Sequence, residues 1–296
     1  MVESRLTRIL LRLGAGATLA FIYLPLILIA LYAFNESVTQ SWPIHAYTTK
    51  WFSIAYHDEG VRQALWLSVR AALGATAVAM VLGTLASLAV SRFEFFGRDA
   101  ISLLVILPLA LPGIITGLAL RTTYTTVGVD FGLLTIIVGH ATFCIVAIYN
   151  NVLARLRRTQ ASLVEASMDL GADTWQTFRH VTFPNLRTAL LAGGLLAFAL
   201  SFDEVIVTLL VAGAQQTLPI WIFANLFRPV AQPVVNVVAL FVILMITAFF
   251  GGGNVWVVIL AIGITGWTTA ARVYGICVAV DGVPRPRTAG KVTGSG

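Results

Sequence analysis

Charged residues are scarce in this 296-residue chain: they make up 11% of the sequence, against 58% hydrophobic residues. Soluble domains carry about a quarter charged residues, so the composition excludes an ordinary soluble enzyme or binding domain. The apolar runs are about twenty residues long, which is enough to cross the hydrocarbon core of a bilayer as helices. The sequence therefore predicts an all-α integral membrane protein.

Cysteine is also rare, and the motifs of common enzymes are missing. Cys144 and Cys277 both lie in apolar runs, and neither is predicted to form part of a disulfide or a metal site. The chain contains no G-x-x-x-x-G-K-[ST], H-E-x-x-H or G-x-S-x-G pattern, the signatures of nucleotide-hydrolysing, zinc-protease and acyl-transfer sites. We therefore expect no catalytic residue, no metal and no cofactor on this chain. If ATP drives its function, another protein must bind the nucleotide.

Six apolar runs are predicted to span the membrane. They cover approximately residues 13–34, 64–90, 101–124, 132–153, 186–212 and 234–250. Basic residues collect in cytoplasmic loops, so Arg5, Arg8 and Arg12 before the first run place the N-terminus in the cytoplasm. For the same reason the net charge of +6 is interpreted as a topology signal and as attraction to anionic lipid, without nucleic-acid binding.

Residues 251–296 form an atypical C-terminal extension with a further apolar stretch at about 255–280. Arg272 interrupts this stretch, and a crossing here would leave Arg285 and Lys291 outside the cell. The positive-inside rule opposes such a crossing. The sequence leaves open whether the extension is a seventh span, a fusion or the product of a truncated gene.

A polar insert, residues 162–184, separates the fourth and fifth runs. Ser162 with Glu165, and Asp173 with Gln176, have the spacing of capping boxes, in which a side chain at a helix start and one three residues later bond to each other's backbone N–H. The insert is therefore predicted to contain two short helices. The arginines directly before it, which place it in the cytoplasm, are Arg155, Arg157 and Arg158.

The second helix of the insert carries aromatic residues. Gly171 is expected to adopt the left-handed conformation that ends the first helix, and Pro184 is expected to end the second. Trp175, Phe178 and Thr182 fall at i, i+3 and i+7, a spacing that predicts one exposed aromatic face. We expect this face to occupy a groove on another protein; the alternative is that it lies on the membrane interface.

Polar residues within the predicted spans are candidates for function. Asp203 and Glu204 lie in the fifth span, where an ionised carboxylate costs roughly 2.5 to 3.5 kcal/mol on insertion scales, so they should face water or the bundle interior. They either line the path of a solute or form an ion pair with Arg121 of the third span. His140 in the fourth span is expected to be a hydrogen-bonded interior histidine rather than a proton relay.

The third run contains Pro112 followed by the small-residue pattern Gly113–Gly117. Proline removes a backbone hydrogen bond, and small residues four positions apart allow a neighbouring helix to approach closely. We expect this segment to pack inside the bundle; a gating hinge is the alternative.

The insert resembles the EAA loop of permease subunits of bacterial ABC importers, whose pattern is E-A-A, then glycine, then a terminal I-x-L-P. Here the pattern falls on Glu165, Ala166, Ser167, Gly171, Val181, Phe183 and Pro184. Serine replaces the third alanine and phenylalanine replaces the leucine. In that family the loop is a coupling helix that contacts the ATP-hydrolysing subunit. The resemblance implies a coupling role for Glu165, Ala166, Ser167, Gly171, Trp175, Phe178 and Pro184.

The resemblance extends over approximately residues 13–250 and is to spermidine/putrescine-type permeases. It rests on ILPLALPGIITGLAL, VGHATFCIVAIYNNVLARLRR and LLAGGLLAFALSFDEVIVTLLVAG. It implies a MetI-like bundle of about six transmembrane helices in the bacterial inner membrane, which imports a polyamine by alternating access. The implied partners are a second permease subunit, a dimer of ATP-binding subunits that holds ATP and Mg²⁺, and a periplasmic binding protein. Asn254–Gly275 departs from this pattern and is more similar to dipeptide-type permeases.

A secondary transporter or channel that is not driven by ATP is the alternative function. Such transporters are commonly built from inverted internal repeats, and no repeat is visible in this sequence. The absence of a repeat favours the importer subunit.

Overall fold

The computed structural model describes residues 5–40, 42–94, 96–98, 100, 103, 105, 107 and 111–250. Two predictions fall largely on other residues. The C-terminal extension, with its apolar stretch at 255–280, and most of residues 101–110 in the third predicted span lie outside the described residues.

Helices make up nearly all the regular structure of the described residues, which confirms the all-α prediction. The helices are α1 (Arg5–Ala33), α2 (Lys50–His57), α3 (Glu59–Arg92), α4 (Gly113–Val127), α5 (Leu133–Arg158), α6 (Ala161–Asp169), α7 (Thr174–Thr177), α8 (Phe183–Phe202), α9 (Ile206–Val211), α10 (Leu218–Asn225) and α11 (Gln232–Phe250). A π-turn, Phe178–Thr182, joins α7 to α8 without a break.

Four helical segments among the described residues are long and apolar enough to cross a membrane: α1, α3, α5 and the continuous segment Thr174–Phe202. They overlap the first, second, fourth and fifth predicted spans. The apolar part of α11 is shorter, at Gln232–Met245, and α4 has 15 residues. The count of six spans therefore stays a prediction.

The chain divides into two compact units, residues 1–52 with 233–296 and residues 53–232. In the first unit, the segment after α1 folds back on itself. The N–H of Thr48 donates to the carbonyl of Phe34 at 2.7 Å, and the indole Nε1 of Trp51 donates to the carbonyl of Asn35 at 2.7 Å. These bonds anchor the beginning of α2 beside the end of α1.

In the second unit, α5 packs against both α3 and α8. The contact with α3 is close because α3 presents small residues to it. A Cβ atom on Gly83 would lie 3.0 Å from the carbonyl oxygen of Ile145 and 2.9 Å from Cβ of Ile148. The contact with α8 is a buried apolar cluster that includes Cys144, Ile148 and Leu190.

The small-residue pattern of the third predicted span packs as expected. A Cβ atom on Gly117 of α4 would lie 2.6 Å from Cδ1 of Leu210 and 3.4 Å from Cα of Val207, so the backbones of α4 and α9 approach closely. Pro112 stands directly before α4 with an extended ψ of 132°. It starts this helix and does not kink it.

The fifth predicted span, residues 186–212, is not one helix. α8 ends at Phe202 and α9 begins at Ile206, so residues 203–205 form a gap, which we call the acidic break. The Glu204 carboxylate accepts a bond from the N–H of Val207 at 3.1 Å. This carboxylate serves as an N-terminal cap for α9 and supports the interruption.

Candidate functional site

The first helix of the coupling loop, residues 162–184, starts earlier than predicted. α6 begins at Ala161, Gln160 is the capping position, and no side-chain bond caps it. The predicted capping box of Ser162 and Glu165 is therefore wrong, because Ser162 already lies inside the first turn. Glu165 is exposed on α6 and does not cap the helix, so its carboxylate faces solvent.

The turn between the two loop helices agrees with the prediction. Gly171 has φ +87°, and an added Cβ would meet nothing within 4 Å. Glycine is therefore required here by the backbone conformation alone. The N–H of Ala172 donates to the carbonyl of Ser167 at 3.1 Å, which closes the end of α6.

The capping box of the second helix is confirmed. The N–H of Gln176 donates to Oδ1 of Asp173 at 2.7 Å, and the N–H of Asp173 donates to Oε1 of Gln176 at 3.0 Å. This reciprocal pair fixes where α7 begins. The aromatic residues that follow are thereby held in a defined direction.

The coupling loop has an exposed aromatic face, but its residues differ from those predicted. Trp175 stacks on Phe178 with ring centroids 5.7 Å apart, and Phe178 lies 6.2 Å from the ring of Phe183. We call these three residues the aromatic ridge. Trp175 is 64% exposed and Phe183 46%, whereas Thr182 is 4% exposed. Thr182 was wrongly placed on the exposed face, because its hydroxyl bonds inward to Arg92.

The prediction that Pro184 ends the second helix is wrong. It lies in the first turn of α8, inside the continuous helical segment Thr174–Phe202. The π-turn before it makes the connection: the N–H of Phe183 bonds to the carbonyl of Phe178, five residues back. The coupling loop therefore continues directly into a membrane helix.

Ser167 makes a contact that the sequence did not reveal. Its hydroxyl lies 2.9 Å from the hydroxyl of Thr177, and Thr177 is fully buried. The pair links α6 to α7. An alanine, the residue of the EAA pattern at this position, could not form the bond.

The candidate solute path lies at the acidic break. Asp203 is exposed at the end of α8, and Glu204 is half-buried. Arg121 donates from Nη1 to the carbonyl of Leu210 at 3.2 Å and lies over the ring of Phe131, 5.4 Å from its centroid. These contacts hold Arg121 against α9 and Phe131, and the two alternatives for the acids, an ion pair or a solute path, stay predictions.

His140 is a hydrogen-bonded interior histidine, as predicted. Its Nδ1 lies 2.7 Å from Oγ of Ser201 on α8, and its Nε2 lies 2.7 Å from Oγ1 of Thr208 on α9. The Thr208 hydroxyl also donates to the carbonyl of Glu204 at 2.8 Å. One imidazole thus joins the two helices across the acidic break.

The family of binding-protein-dependent transport system inner membrane components matches residues 79–261, more than half of the chain. The chain belongs to this family. The matched region contains both the coupling loop and the acidic break. This inner membrane component is therefore a multi-pass subunit of a transport system, and its membership favours the importer subunit over the secondary transporter or channel.

Two relatives of this membrane component are permease proteins of Escherichia coli (strain K12). The "Putrescine transport system permease protein PotI" is 33% identical over 228 residues, which covers 74% of this chain and 80% of the relative. The "Spermidine/putrescine transport system permease protein PotC" is 29% identical over 225 residues, which covers 75% of this chain and 84% of the relative.

A solved structure shares the fold of this membrane component. It is the crystal structure of a bacterial ABC transporter involved in the import of the acidic polysaccharide alginate. One of its chains superposes with a TM-score of 0.67 and 16% sequence identity, covering 85% of this chain and 97% of the other. The match shows that the two chains share a fold.

Proposed function

We propose that this chain is a permease subunit of an ATP-driven polyamine importer, which carries spermidine or putrescine into the cytoplasm by alternating access. The observation that carries the proposal is the continuity of the coupling loop with a membrane helix. The exposed aromatic ridge passes through the π-turn into α8, and α8 ends at the acidic break. A push on the ridge can therefore reach the candidate solute path along one helix.

The partner at the ridge is an ATP-binding subunit, present as a dimer that holds ATP and Mg²⁺. The chain has no phosphate-binding glycine loop of its own, so hydrolysis takes place on the partner. Exposed Trp175 and Phe183 supply apolar area for a groove, and exposed Glu165 supplies a charge beside it. Ala166, Ser167, Gly171, Phe178 and Pro184 shape the surface that enters the groove.

The orientation follows from the basic residues. Arg155, Arg157 and Arg158 end α5 directly before the coupling loop, and basic residues favour the cytoplasmic side. The loop and the N-terminus accordingly face the cytoplasm. A second permease subunit completes the bundle. A periplasmic binding protein delivers the solute, and the binding-protein dependence named in the family description supports this part of the proposal.

A polyamine is a flexible chain with several ammonium groups, so its path needs negative charge. Asp203 and Glu204 bring two carboxylates to the acidic break. Arg121 lies on the neighbouring α4, but it is turned to the carbonyl of Leu210 and the ring of Phe131. The negative charge of these two side chains would attract a cation in transit.

Co-purification tests the proposal. The chain is expressed with its genomic neighbours, and the ATP-binding subunit that remains bound is quantified. We expect Trp175→Ala to lower the bound fraction roughly tenfold or more, since buried aromatic anchors dominate interfaces. Tyr56→Ala removes an aromatic side chain of similar exposure on α2, outside the coupling loop, and should leave binding unchanged.

Gly171→Pro is the second variant. Proline fixes φ near −65°, which is incompatible with the φ of +87° found here, so the loop should misfold locally and uptake should stop. Uptake is measured with radiolabelled putrescine, spermidine and 4-aminobutyrate. If no ATP-binding subunit co-purifies with the unaltered chain and Gly171→Pro transports normally, the proposed function is wrong.

A further inference from the structure

Arginines from two other helices hold the beginning of α8. Arg92, the last residue of α3, donates from Nη2 to Oγ1 of Thr182 at 2.8 Å. Arg155, in the last turn of α5, donates from Nε to the carbonyl of Asn185 at 2.9 Å. Thr182 is the last residue of the π-turn, and Asn185 lies in the first turn of α8. The two bonds therefore fasten the ends of two membrane helices to the beginning of a third.

The π-turn departs from α-helical bonding between the coupling loop and α8. Its backbone bonds span five residues, a geometry that is rare in helices and concentrated at functional sites. Pro184 follows at once and contributes no N–H to the helix. A displacement of the coupling loop would be lost in bending here unless side chains stiffen the turn.

The contacts around the π-turn supply that stiffness. Thr182 is 4% exposed, and its hydroxyl receives a charge-assisted bond from Arg92, a kind that is roughly twice as strong as a neutral one. The side-chain Nδ2 of Asn185 donates back to the carbonyl of Val181 inside the π-turn at 2.9 Å. Asn185 thus connects Arg155 on one side to the π-turn on the other.

We propose that Arg92 and Arg155 are positioning residues for coupling, which lock the π-turn so that displacement of the coupling loop moves the cytoplasmic ends of α3, α5 and α8 together. The inference rests on the proposed function, because it requires a partner ATPase that displaces the loop. Without the two bonds, the π-turn bends, and ATP is hydrolysed without a matching reorientation of the membrane helices.

The decisive quantity is the amount of putrescine imported per ATP hydrolysed. It is measured on the complete importer, purified with its partner subunits and reconstituted in vesicles with the binding protein. Thr182→Val keeps the shape of the side chain and removes the acceptor, and Arg92→Gln removes the charged donor. Each should lower the ratio by roughly twofold to tenfold, the effect of one hydrogen bond on an equilibrium.

The two variants act through one bond, so the double variant should lower the ratio no further than either single variant. Thr182→Ser keeps the hydroxyl, so this variant should have the same ratio as the unaltered chain. If Thr182→Val fails to reach the membrane, the same ratio is measured for Arg92→Lys. Lysine keeps the positive charge but lacks the planar donor group of arginine. That variant should also lower the ratio.

Arg155→Gln is compared with Arg158→Gln, which removes the same charge from the same last turn of α5. We expect only Arg155→Gln to lower the ratio. Ratios equal to that of the unaltered chain for Thr182→Val, Arg92→Gln and Arg155→Gln overturn the inference. An unaltered complex that hydrolyses no ATP and imports no putrescine overturns the proposed function instead, so the two failures are distinguishable.

Discussion

The hydroxyl groups of Ser167 and Thr177 lie 2.9 Å apart between α6 and α7, with Thr177 fully buried. Ser167→Ala leaves the Thr177 hydroxyl buried without this partner, which costs about 1–3 kcal/mol. We predict a fall of that size in the stability of the coupling loop. It is measured as a lower midpoint of thermal unfolding and weaker co-purification of the ATP-binding subunit.

The double variant Ser167→Ala with Thr177→Val separates this bond from other effects of the serine. Replacing both partners by apolar groups of similar shape is nearly neutral, so the double variant should regain most of the lost stability. A double variant less stable than Ser167→Ala would contradict the role of the hydroxyl pair.

At the scale of single residues, the sequence predicted those features whose cause is local. The Asp173–Gln176 box and the left-handed Gly171 depend on neighbouring backbone only, and both are confirmed. Ser162 fitted the same local rule, but α6 begins before it at Ala161. The bond of Ser167 to Thr177 and the burial of Thr182 depend on helices that the sequence does not bring together, so neither could be predicted.

His140 acts at the scale of helices, because it bonds α8 through Ser201 and α9 through Thr208. His140→Leu removes both bonds inside the protein, and the loss of buried partners of this kind costs about 2 kcal/mol or more. We predict a clearly lower midpoint of thermal unfolding and lost putrescine uptake. His140→Gln keeps a donor and an acceptor and should be less severe.

Thr142→Val is the matched control for His140→Leu. The Thr142 hydroxyl lies two residues away on α5, and its hydrogen bond within the described part of the chain is to the carbonyl of Gly139 in its own helix. We expect little change in stability or uptake. Equal stability of His140→Leu and the unaltered chain would show that the two helices are held in place by their apolar contacts alone.

Helix positions were predictable where the apolar pattern decides them. The predicted runs 64–90 and 132–153 correspond to Glu59–Arg92 and Leu133–Arg158. Hydrophobicity could not reveal the acidic break within an apolar run, because its cause is the cap from Glu204 and the support from His140. It could not reveal the π-turn at Pro184 either, because there the arginines of α3 and α5 provide the bonds.

For the whole molecule, α8 connects the two candidate sites. It has 20 residues, which at about 1.5 Å per residue is close to the thickness of the hydrocarbon core, roughly 30 Å. The coupling loop and the acidic break therefore lie at opposite ends of one membrane helix. In the proposed coupling, motion enters at the π-turn, and its effect on the solute depends on how α8 and α9 are joined at the other end.

The charge of the acidic break should decide which solutes pass. Asp203→Asn and Glu204→Gln remove charge while keeping oxygen acceptors, so the cap on Val207 is retained. We predict that each raises the KM for putrescine by roughly twofold to fivefold, because solvated ion pairs are individually modest. The effect should be larger for spermidine, which carries one more ammonium group, and small for zwitterionic 4-aminobutyrate.

Asp130→Asn is the control, since Asp130 is an exposed acid in the loop between α4 and α5, away from the acidic break. The bound ATP-binding subunit is quantified in parallel, and it should be unchanged because the coupling loop lies at the other end of α8. A uniform loss for all three solutes would indicate that the carboxylates hold the helix ends. If the loss of uptake is instead largest for spermidine, smaller for putrescine and smallest for 4-aminobutyrate, the carboxylates lie on the path of the solute.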